Sequence, residues 1–438
     1  MQSPDSRQWI GRIATCCVIA ATAVVAVRNA TVYPAIAGYD AQEAIDYANG
    51  IVQHGQLPDA TGSYYTPPGF FAIGGLGIEL GRHLGLEHPE RVGQVVNALA
   101  ALGTLLLLLV LVRLLWPGRQ GLHVAAAVFF VVCPVVMKSA AMFHPEPLSM
   151  LFSTAALAYA AWLLVREDYR LRIALPLGLM LGLGQLVRAW TLWTVVVVLG
   201  VLVVAAVTRP RDRRPLLGAI AVVTAVAVLV PAPWYVHQVT QYDSALFGRP
   251  HPSQPVWSRR PLAFFVGAGL PQVVTEPYRP SFSTRFLPIA YTETWGDYFG
   301  VWRWFPHGDP PSAVVRRELV TMSIVGLPLT LVAFAGWIAL FGMAVRHPGR
   351  RTETLLVALL PLAALAGVVY FATSYPTPDG DTVKGSFMLT AVPAWAACFG
   401  FAFDGLRARY PRLSVALFVL LGALAAAASP FLFAVPTL

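Results

Sequence analysis

Long apolar stretches recur along almost the whole chain, and they constrain its fold more than any other feature. A helix needs about 20 predominantly apolar residues to cross the hydrocarbon core of a bilayer. Stretches of roughly this length occupy about 13–27, 91–114, 120–142, 148–165, 172–188, 190–208, 215–235, 319–342, 353–372, 386–404 and 412–432. The sequence therefore predicts an all-α polytopic membrane protein with about eleven transmembrane helices.

The composition agrees with this class of fold. Hydrophobic residues make up 57% of the 438 residues, charged residues only 12%, and the mean hydropathy is +0.63. The formal net charge of +9 would suggest a nucleic-acid ligand in a soluble protein. Here, however, the arginines gather in short clusters between the apolar stretches, as membrane topology requires. We therefore expect membrane lipids, and no nucleic acid, around this chain.

The arginine clusters also predict the orientation, because short cytoplasmic loops collect Arg and Lys. With a cytoplasmic N-terminus, every inner connection is basic: Arg113 and Arg119; Arg166, Arg170 and Arg172; Arg209, Arg211, Arg213 and Arg214; Arg346, Arg350 and Arg351; Arg407, Arg409 and Arg412. Two long connections, 29–90 and 236–318, then face outward, as does the C-terminus. The sequence predicts a plasma-membrane protein whose first apolar stretch, 13–27, is a retained span rather than a cleaved signal peptide.

One further apolar stretch, 67–84, resembles a span. Counting it would invert every later loop and place all the basic clusters outside. We therefore expect a helix that lies in, or dips into, the outer membrane interface. The chain then divides into an N-terminal transmembrane module at 1–235, a second outward loop at 236–318, and C-terminal transmembrane helices at 319–438.

Asp40 opens the most informative part of the first outward loop. The apolar residues between 41 and 54 recur at helical spacing, which predicts an amphipathic helix on the membrane surface. Asp40 lies at its start and Glu43 follows three residues later, which is the pattern of a capping box. Local spacing alone does not decide between a capping and a catalytic role for these carboxylates.

The layout of about the first 165 residues resembles a known family. An acidic residue soon after the first span is followed by a surface helix, an aromatic turn ending in Pro67-Pro68, and a second acidic motif, His144-Pro145-Glu146, after the third span. Together these features resemble the GT-C superfamily of membrane glycosyltransferases. The most similar group is the protein O-mannosyltransferases and lipid A aminoarabinose transferases, which use a sugar linked to polyprenyl phosphate.

The resemblance implies roles for individual residues. The family's first-loop acidic residue corresponds to Asp40, and its second acidic motif to His144 and Glu146. Tyr64 and Tyr65 lie just before the Pro-Pro turn, where some members carry charged residues. We expect these two tyrosines, His144 and Glu146 to contact the substrate.

Sugar transfer from a glycosyl phosphate requires few catalytic side chains. The phosphate is a good leaving group, so the enzyme needs a base for the acceptor hydroxyl and cations for the departing phosphate. We expect Asp40, with Glu43 beside it, to supply the base, and attack opposite the phosphate to invert the anomeric centre. The cations at the outer ends of spans are Lys138, Arg188 and Lys384. Alternatively, these three side chains extend towards lipid headgroups and do not bind the donor.

A divalent cation is a further possibility. Carboxylate and imidazole side chains are common metal ligands, and Asp40, His144 and Glu146 are the residues that would supply them. Glu146 also suits the start of a helix without any metal. No other cofactor is indicated.

The second outward loop combines aromatic rings with carboxylates. Glu293, Trp295 and Asp297 would suit a sugar, whose ring stacks on an aromatic side chain while its hydroxyls donate to carboxylates. An interfacial belt of Trp and Tyr has the same composition. We expect substrate contact here, with the belt as the alternative.

A transporter or flippase of lipid-linked glycans is the alternative function. It would also have many spans and basic pockets, but polar groups near the midplane and repeated halves are expected of it, and the sequence shows neither. We therefore expect a glycosyltransferase that moves a hexose or pentose from polyprenyl phosphate to a hydroxyl at the outer face. The sequence leaves the sugar open, and the acceptor can be a protein, a lipid or a glycan.

Overall fold

The computed structural model describes residues 4–57, 63–244, 259–301, 311–377, 380 and 382–433. Every regular element in these ranges is helical, which confirms the predicted all-α architecture. The α-helices are α1 (Pro4–Val32), α2 (Ala41–His54), α3 (Gly69–His83), α4 (Arg91–Leu115), α5 (Gln120–Val132), α6 (Pro134–Ala141), α7 (Glu146–Arg166), α8 (Leu171–Val187), α9 (Leu192–Thr208), α10 (Arg213–Leu229), α11 (Ala232–Tyr242), α12 (Leu262–Val266), α13 (Gln272–Thr275), α14 (Phe286–Trp295), α15 (Ala313–Arg346), α16 (Arg351–Ser374), α17 (Val392–Arg409) and α18 (Pro411–Phe433). Short 3-10 helices lie at Ala189–Thr191, Pro210–Asp212, Pro348–Arg350 and Gly385–Ala391.

Helices long and apolar enough to cross a bilayer make up most of the chain. Within the described ranges there are eight of them, and two bent helix pairs raise the number to ten. The span predicted at 172–188 corresponds to α8, which is apolar but has only 17 residues. The protein is an integral membrane protein, whereas the number of eleven spans stays a prediction.

Proline accounts for both bent pairs. α5 and α6 meet at 55° where Pro134 begins α6, and α10 and α11 meet at 48° around Pro231. Proline lacks the backbone N–H that would continue the helix ladder, and its ring clashes with the preceding turn. The first bend matters for the site because the short α6 that follows carries Lys138, which is buried.

Burial separates the central helices from the peripheral ones. Of the apolar window in Gly385–Arg409, 78% is buried, against 17% in Trp9–Val32 and 28% in Pro411–Ser429. Small residues let helices approach closely. At Gly336 of α15, an added Cβ would lie 1.9 Å from the carbonyl oxygen of Cys398 on α17. The candidate span with the most buried apolar window therefore lies directly after Lys384.

Two buried amides on α4 hold the segments that form the site. Gln94 Nε2 donates to the carbonyl oxygens of Tyr33 and Ala141 at 2.9 and 2.7 Å. Asn97 Nδ2 donates to two carbonyl oxygens of the α6–α7 connection at 2.8 and 2.6 Å. An unpaired carbonyl in an apolar interior is costly. These amides therefore fix the chain just after α1 and the turn that leads into α7.

The predicted inner and outer connections collect at opposite ends of α7. Near its C-terminal end, Arg209 donates to the carbonyl oxygen of Leu164 at 3.0 Å and pairs with Glu353 at 2.7 Å. At its N-terminal end the two long connections meet, and Tyr33 Oη donates to the carbonyl oxygen of Val301 at 3.2 Å. The topology itself, and which end of α7 faces outward, stay predictions.

Both long connections carry short helices, and the sequence predicted those of the first. In the first, α2 buries Ala44, Ile45 and Ala48 on one face, which gives the predicted amphipathic helix. α3 has 15 residues and exposes Leu76 and Leu80 by 66% and 54%. Exposed apolar side chains on a helix too short to span are typical of an interfacial helix. In the second connection lie α12, α13 and α14.

Candidate active site

Asp40 and Lys384 form the centre of the candidate site. Lys384 Nζ donates to Asp40 Oδ2 at 3.2 Å, although 344 positions separate the two residues. Asp40 lies just before α2, and Lys384 lies just before the 3-10 helix Gly385–Ala391. The Asp40 side chain is 49% exposed, whereas that of Lys384 is 10% exposed. The carboxylate is therefore accessible while its partner lies in the wall.

The predicted capping box is wrong. Asp40 has a left-handed backbone, with φ 51° and ψ 29°, and its side chain makes no hydrogen bond to the start of α2. Few residues other than glycine adopt this conformation, and Asp and Asn do so most readily. Glu43 is exposed and accepts a 3.4 Å hydrogen bond from Ser63 Oγ. The carboxylate of Asp40 pairs instead with Lys384, a partner that local spacing cannot reveal.

The charges around Asp40 keep it ionised. Burial raises the pKa of this carboxyl, but the nearby Lys384, His144 and Arg188 together hold it below its ordinary value. A carboxylate of lowered pKa is a weak base in the resting site. Any group that draws Lys384 away from Asp40 therefore raises the pKa of Asp40 and makes this carboxylate a stronger base.

Glu146 organises a second group of charges. It begins α7, is 1% exposed, and places Oε1 2.8 Å from Arg188 Nε in a close ion pair. Its other carboxylate oxygen contacts His144 Nδ1. Arg188, which directly follows α8, also donates through Nη1 to Thr66 Oγ1 at 2.7 Å. The structure therefore brings the predicted His144, Glu146 and Arg188 together.

The two tyrosines before the Pro-Pro turn lie in different surroundings. Burial raises the pKa of the Tyr65 hydroxyl to about 12, against the opposing charge of Arg188, and Asp40 lies close enough to add to the rise. Tyr65 therefore meets the charged groups as a neutral hydroxyl. The ring of Tyr64 lies 4.7 Å from that of Tyr242 on α11. Tyr64 thus packs on a helix, whereas Tyr65 borders the site.

Lys138, Glu293 and Asp297 form a buried ion network. Lys138 Nζ lies 3.3 Å from Glu293 Oε2 and 3.2 Å from Asp297 Oδ1, and the three residues are 3%, 0% and 2% exposed. Lys138 also donates to Tyr39 Oη at 3.2 Å, and that hydroxyl donates to Glu293 Oε2. An ammonium group has three N–H donors, and all three have partners here.

This network lies behind the site rather than in its opening. Its carboxylates also accept backbone N–H groups of their own loop at 3.2 Å each. Tyr39 separates it from Lys384, whose Nζ lies 4.8 Å from the centre of the Tyr39 ring. Trp295 is 3% exposed and donates through Nε1 to a threonine hydroxyl of α15 at 2.8 Å. Phosphate binding by Lys138 and sugar contact by Glu293, Trp295 and Asp297 stay predictions, which this burial does not favour.

The residues predicted for a divalent cation do not form a ligand set. In the ranges that the structure describes, no three His, Cys, Asp or Glu side chains are grouped as a metal site. Asp40 pairs with Lys384, and Glu146 contacts both His144 and Arg188. The charge of Arg188 beside Glu146 opposes a second cation there. Lys384 and Arg188 therefore balance the negative charges of Asp40 and Glu146.

An apolar groove opens beside Arg188. Its aromatic lining includes Trp190, Trp193, Trp234, Tyr370 and Phe371. A guanidinium next to an aromatic channel suits a ligand with an anionic head and a hydrocarbon tail. Sequence reasoning missed this groove because its walls come from α9, α11, α16 and the 3-10 helix before α9. The one signal was the pair of tryptophans that closely follows Arg188.

Comparison with solved structures identifies the fold. ArnT from Cupriavidus metallidurans, solved bound to undecaprenyl phosphate, is similar with a TM-score of 0.54 at 16% sequence identity, over 95% of this chain and 64% of that chain. The Archaeoglobus fulgidus oligosaccharyltransferase, solved in complex with Zn and sulfate, is similar with a TM-score of 0.57 at 14% identity, over 96% of this chain and 54% of that chain. ArnT is a lipid A aminoarabinose transferase, and both proteins belong to the GT-C superfamily.

The chain has the GT-C fold.

This GT-C fold extends the resemblance from the first 165 residues to nearly the whole chain. The archaeal oligosaccharyltransferase AglB from Archaeoglobus fulgidus, in complex with an inhibitory peptide and a dolichol-phosphate, has a TM-score of 0.53 at 13% identity over 97% of this chain. The chain spans 64% of the length of ArnT and 55% of that of AglB. No protein-family profile and no curated protein sequence matches it. At these identities the likeness concerns the GT-C fold alone.

Proposed function

We propose that this protein is a glycosyltransferase that moves a sugar from a polyprenyl-phosphate carrier to an acceptor hydroxyl at the outer face of the plasma membrane. One observation carries the proposal: an accessible, ionised carboxylate, Asp40, lies 3.2 Å from Lys384 in a protein of GT-C fold. ArnT with undecaprenyl phosphate and AglB with dolichol-phosphate support a lipid phosphate as the donor.

Asp40 acts as the general base in this proposal. The acceptor hydroxyl forms a bond to the anomeric carbon while the bond from that carbon to the phosphate oxygen breaks. Asp40 takes the hydroxyl proton, and the electron pair of the broken bond leaves with polyprenyl phosphate. Attack opposite the phosphate inverts the anomeric centre. A positioned base contributes about 10²–10⁴-fold to the rate.

Lys384 and Arg188 hold the donor phosphate. Lys384 Nζ and the Arg188 guanidinium lie 5.9 and 5.7 Å from the centre of the same ring, that of Phe387. Both cations thus lie near one ring, and we propose that the phosphate binds between them. As the phosphate draws Lys384 from Asp40, the pKa of Asp40 rises towards its ordinary value. Asp40 thus becomes a stronger base only when the donor is in place.

The apolar groove beside Arg188 holds the first isoprenoid units of the carrier. Its aromatic walls replace water around the hydrocarbon chain, which is favourable in proportion to the apolar area buried. The head group then lies at Arg188 and the chain leaves along Trp190 and Trp193. We assign the buried ion network to the wall of the site, so the phosphate is left to Lys384 and Arg188.

Sugar transfer by the purified protein in detergent tests the proposal. The substrates are polyprenyl-phosphate sugars differing in the sugar, each with extracts of envelope protein, lipid or glycan as acceptor. The measurement is the release of polyprenyl phosphate together with labelled sugar on the acceptor. Transfer with multiple turnovers is expected.

The same assay separates the enzyme from a transporter. Transport needs two compartments, and detergent removes them, so a flippase would give no transfer in micelles. It would instead move a lipid-linked glycan between the leaflets of reconstituted vesicles. Vesicle transport without any transfer in detergent would overturn the proposal.

A further inference from the structure

We infer that Tyr39 is a positioning residue that holds Lys384 on its aromatic ring and ties it to the buried ion network. The inference rests on the proposed function, because Lys384 is the cation shared there by the base and the donor phosphate. Tyr39 directly precedes Asp40 in the chain but is only 5% exposed. It therefore lies in the wall, next to a residue that faces the opening.

The ring of Tyr39 is fixed on several sides. Lys384 Nζ lies over it, 4.8 Å from its centre. The rings of His144 and Phe299 lie 6.1 and 6.5 Å away, and that of Phe299 meets it edge-on. An ammonium group within about 6 Å of a ring centre is attracted by the negative face of the ring. A ring that cannot move therefore gives Lys384 a defined resting place.

The hydroxyl of Tyr39 anchors the ring along its long axis. It donates to Glu293 Oε2 and accepts from Lys138 Nζ at 3.2 Å. The buried ion network also contains two carboxylates and one ammonium group. The Tyr39 hydroxyl is thus held between a carboxylate and an ammonium group of this network, which keeps the ring in place beside Lys384.

This arrangement lets Lys384 turn without leaving its place. From its position over Tyr39 it reaches Asp40 at 3.2 Å on one side, and the ring of Phe387, where we propose the phosphate, lies 5.9 Å away. Tyr39 contacts neither the donor nor the transferred proton in the proposed reaction. It acts through Lys384, by keeping the ammonium group between its two partners.

The acid limb of the pH profile reports on this arrangement. The basic groups that face Asp40 are Lys384, His144 and Arg188, and Tyr65 faces it as a neutral hydroxyl. Removing the ring of Tyr39 lets Lys384 drift, so the lowering of the pKa of Asp40 is partly lost. The acid limb of kcat/KM then moves to higher pH. A loss of folded protein would lower the rate without moving this limb.

A double-mutant cycle between Tyr39 and Lys384 tests the inference. Tyr39→Leu removes the ring and the hydroxyl, Tyr39→Phe keeps the ring, and each is made with and without Lys384→Met. The readouts are binding of undecaprenyl phosphate to the purified protein, kcat/KM for transfer and the midpoint of the acid limb. We expect Tyr39→Leu to weaken binding and kcat/KM by about 3- to 30-fold, with Tyr39→Phe between it and the wild type.

In the Lys384→Met background, either Tyr39 substitution is expected to change lipid-phosphate binding and kcat/KM by less than about twofold. The ammonium group that Tyr39 positions is absent from this background. Equal losses in both backgrounds, or an acid limb that stays in place in Tyr39→Leu, would overturn the inference. Tyr33→Phe is the matched control, since it removes a buried hydroxyl that donates to the second outward loop, and its acid limb should match the wild type.

The binding arm separates this inference from the proposed function. A wild-type protein that binds undecaprenyl phosphate but transfers no sugar would refute the proposed function, while the binding cycle would still decide the role of Tyr39. A wild-type protein that does not bind the lipid phosphate would refute both.

Discussion

Replacing Lys384 with methionine tests the electrostatics of the site through two separate effects. Methionine keeps an unbranched apolar chain but removes the charge that lies 3.2 Å from Asp40 Oδ2. In the proposed reaction this charge also binds the donor phosphate. The substitution should therefore lower the rate and alter how the rate depends on pH.

The expected loss of rate follows from the lost phosphate contact. A hydrogen bond to a charged group contributes about 1.5–3 kcal/mol. A difference of about 1.4 kcal/mol corresponds to a factor of ten. For Lys384→Met we therefore expect kcat/KM at neutral pH to fall by about 10- to 150-fold.

The expected change in pH dependence follows from Asp40. The pKa of Asp40 is lowered in the wild type. Activity should therefore remain constant from neutral pH down to pH values below the ordinary pKa of a carboxyl group, and should fall only where Asp40 becomes protonated. Without Lys384, burial still raises this pKa while only His144 and Arg188 oppose it. The pKa then rises, and the acid limb of kcat/KM moves to higher pH.

The assay is the initial rate of sugar transfer in detergent from about pH 3 to 8, with each sample returned to neutral pH to check that it recovers. Arg316→Met is the matched control. It likewise removes a cation, but one in the second outward loop that is 51% exposed and 3.9 Å from its carboxylate partner. An acid limb that stays in place in Lys384→Met, with a loss of rate below about twofold, would refute the reasoning.

Three further substitutions examine other parts of the site. Lys138→Met removes the ammonium group that two buried carboxylates share, so it should cost about 3–5 kcal/mol of stability; an unchanged melting temperature in detergent would contradict its role in the wall. Trp193→Ala opens the groove and should raise KM for a long-chain donor more than for a short-chain one; equal increases would show that the groove does not hold the isoprenoid. Glu43→Gln removes an exposed carboxylate and should lower kcat by less than about tenfold; a loss as large as that of an Asp40 variant would make Glu43 catalytic.

Hydropathy predicted the bounds of α4 and α7 closely, whereas the stretches at 120–142 and 215–235 are each divided between two helices. α4 runs from Arg91 to Leu115 where 91–114 was predicted, and α7 runs from Glu146 to Arg166 where 148–165 was predicted. The reason is physical: backbone in lipid must satisfy its hydrogen bonds internally, so an apolar run of this length has to be helical. The number of spans was less predictable, because α8 has only 17 residues.

The candidate site could be predicted as a set of residue types but not as an arrangement. Lys138 and Lys384 both lie near predicted span ends, and nothing in the local sequence distinguishes them. Packing gives Lys138 two buried carboxylates and Lys384 a single, half-exposed one. The capping box failed for the same reason, since the partner that draws Asp40 from the helix start lies 344 positions away.

Replacing Asp40 with asparagine tests the central claim most directly. Asparagine accepts a left-handed backbone as readily as aspartate does, and this side chain is half-exposed and caps no helix. The melting temperature should therefore stay unchanged. Asp46→Asn, the same change at an exposed residue of α2, is the matched control.

The measurement is transfer from a polyprenyl-phosphate sugar by the three purified proteins: wild type, Asp40→Asn and Asp46→Asn. We predict that Asp40→Asn loses at least about 10²-fold in kcat, while Asp46→Asn retains the wild-type rate and all three melt alike. Wild-type transfer by a fully folded Asp40→Asn protein would contradict the account.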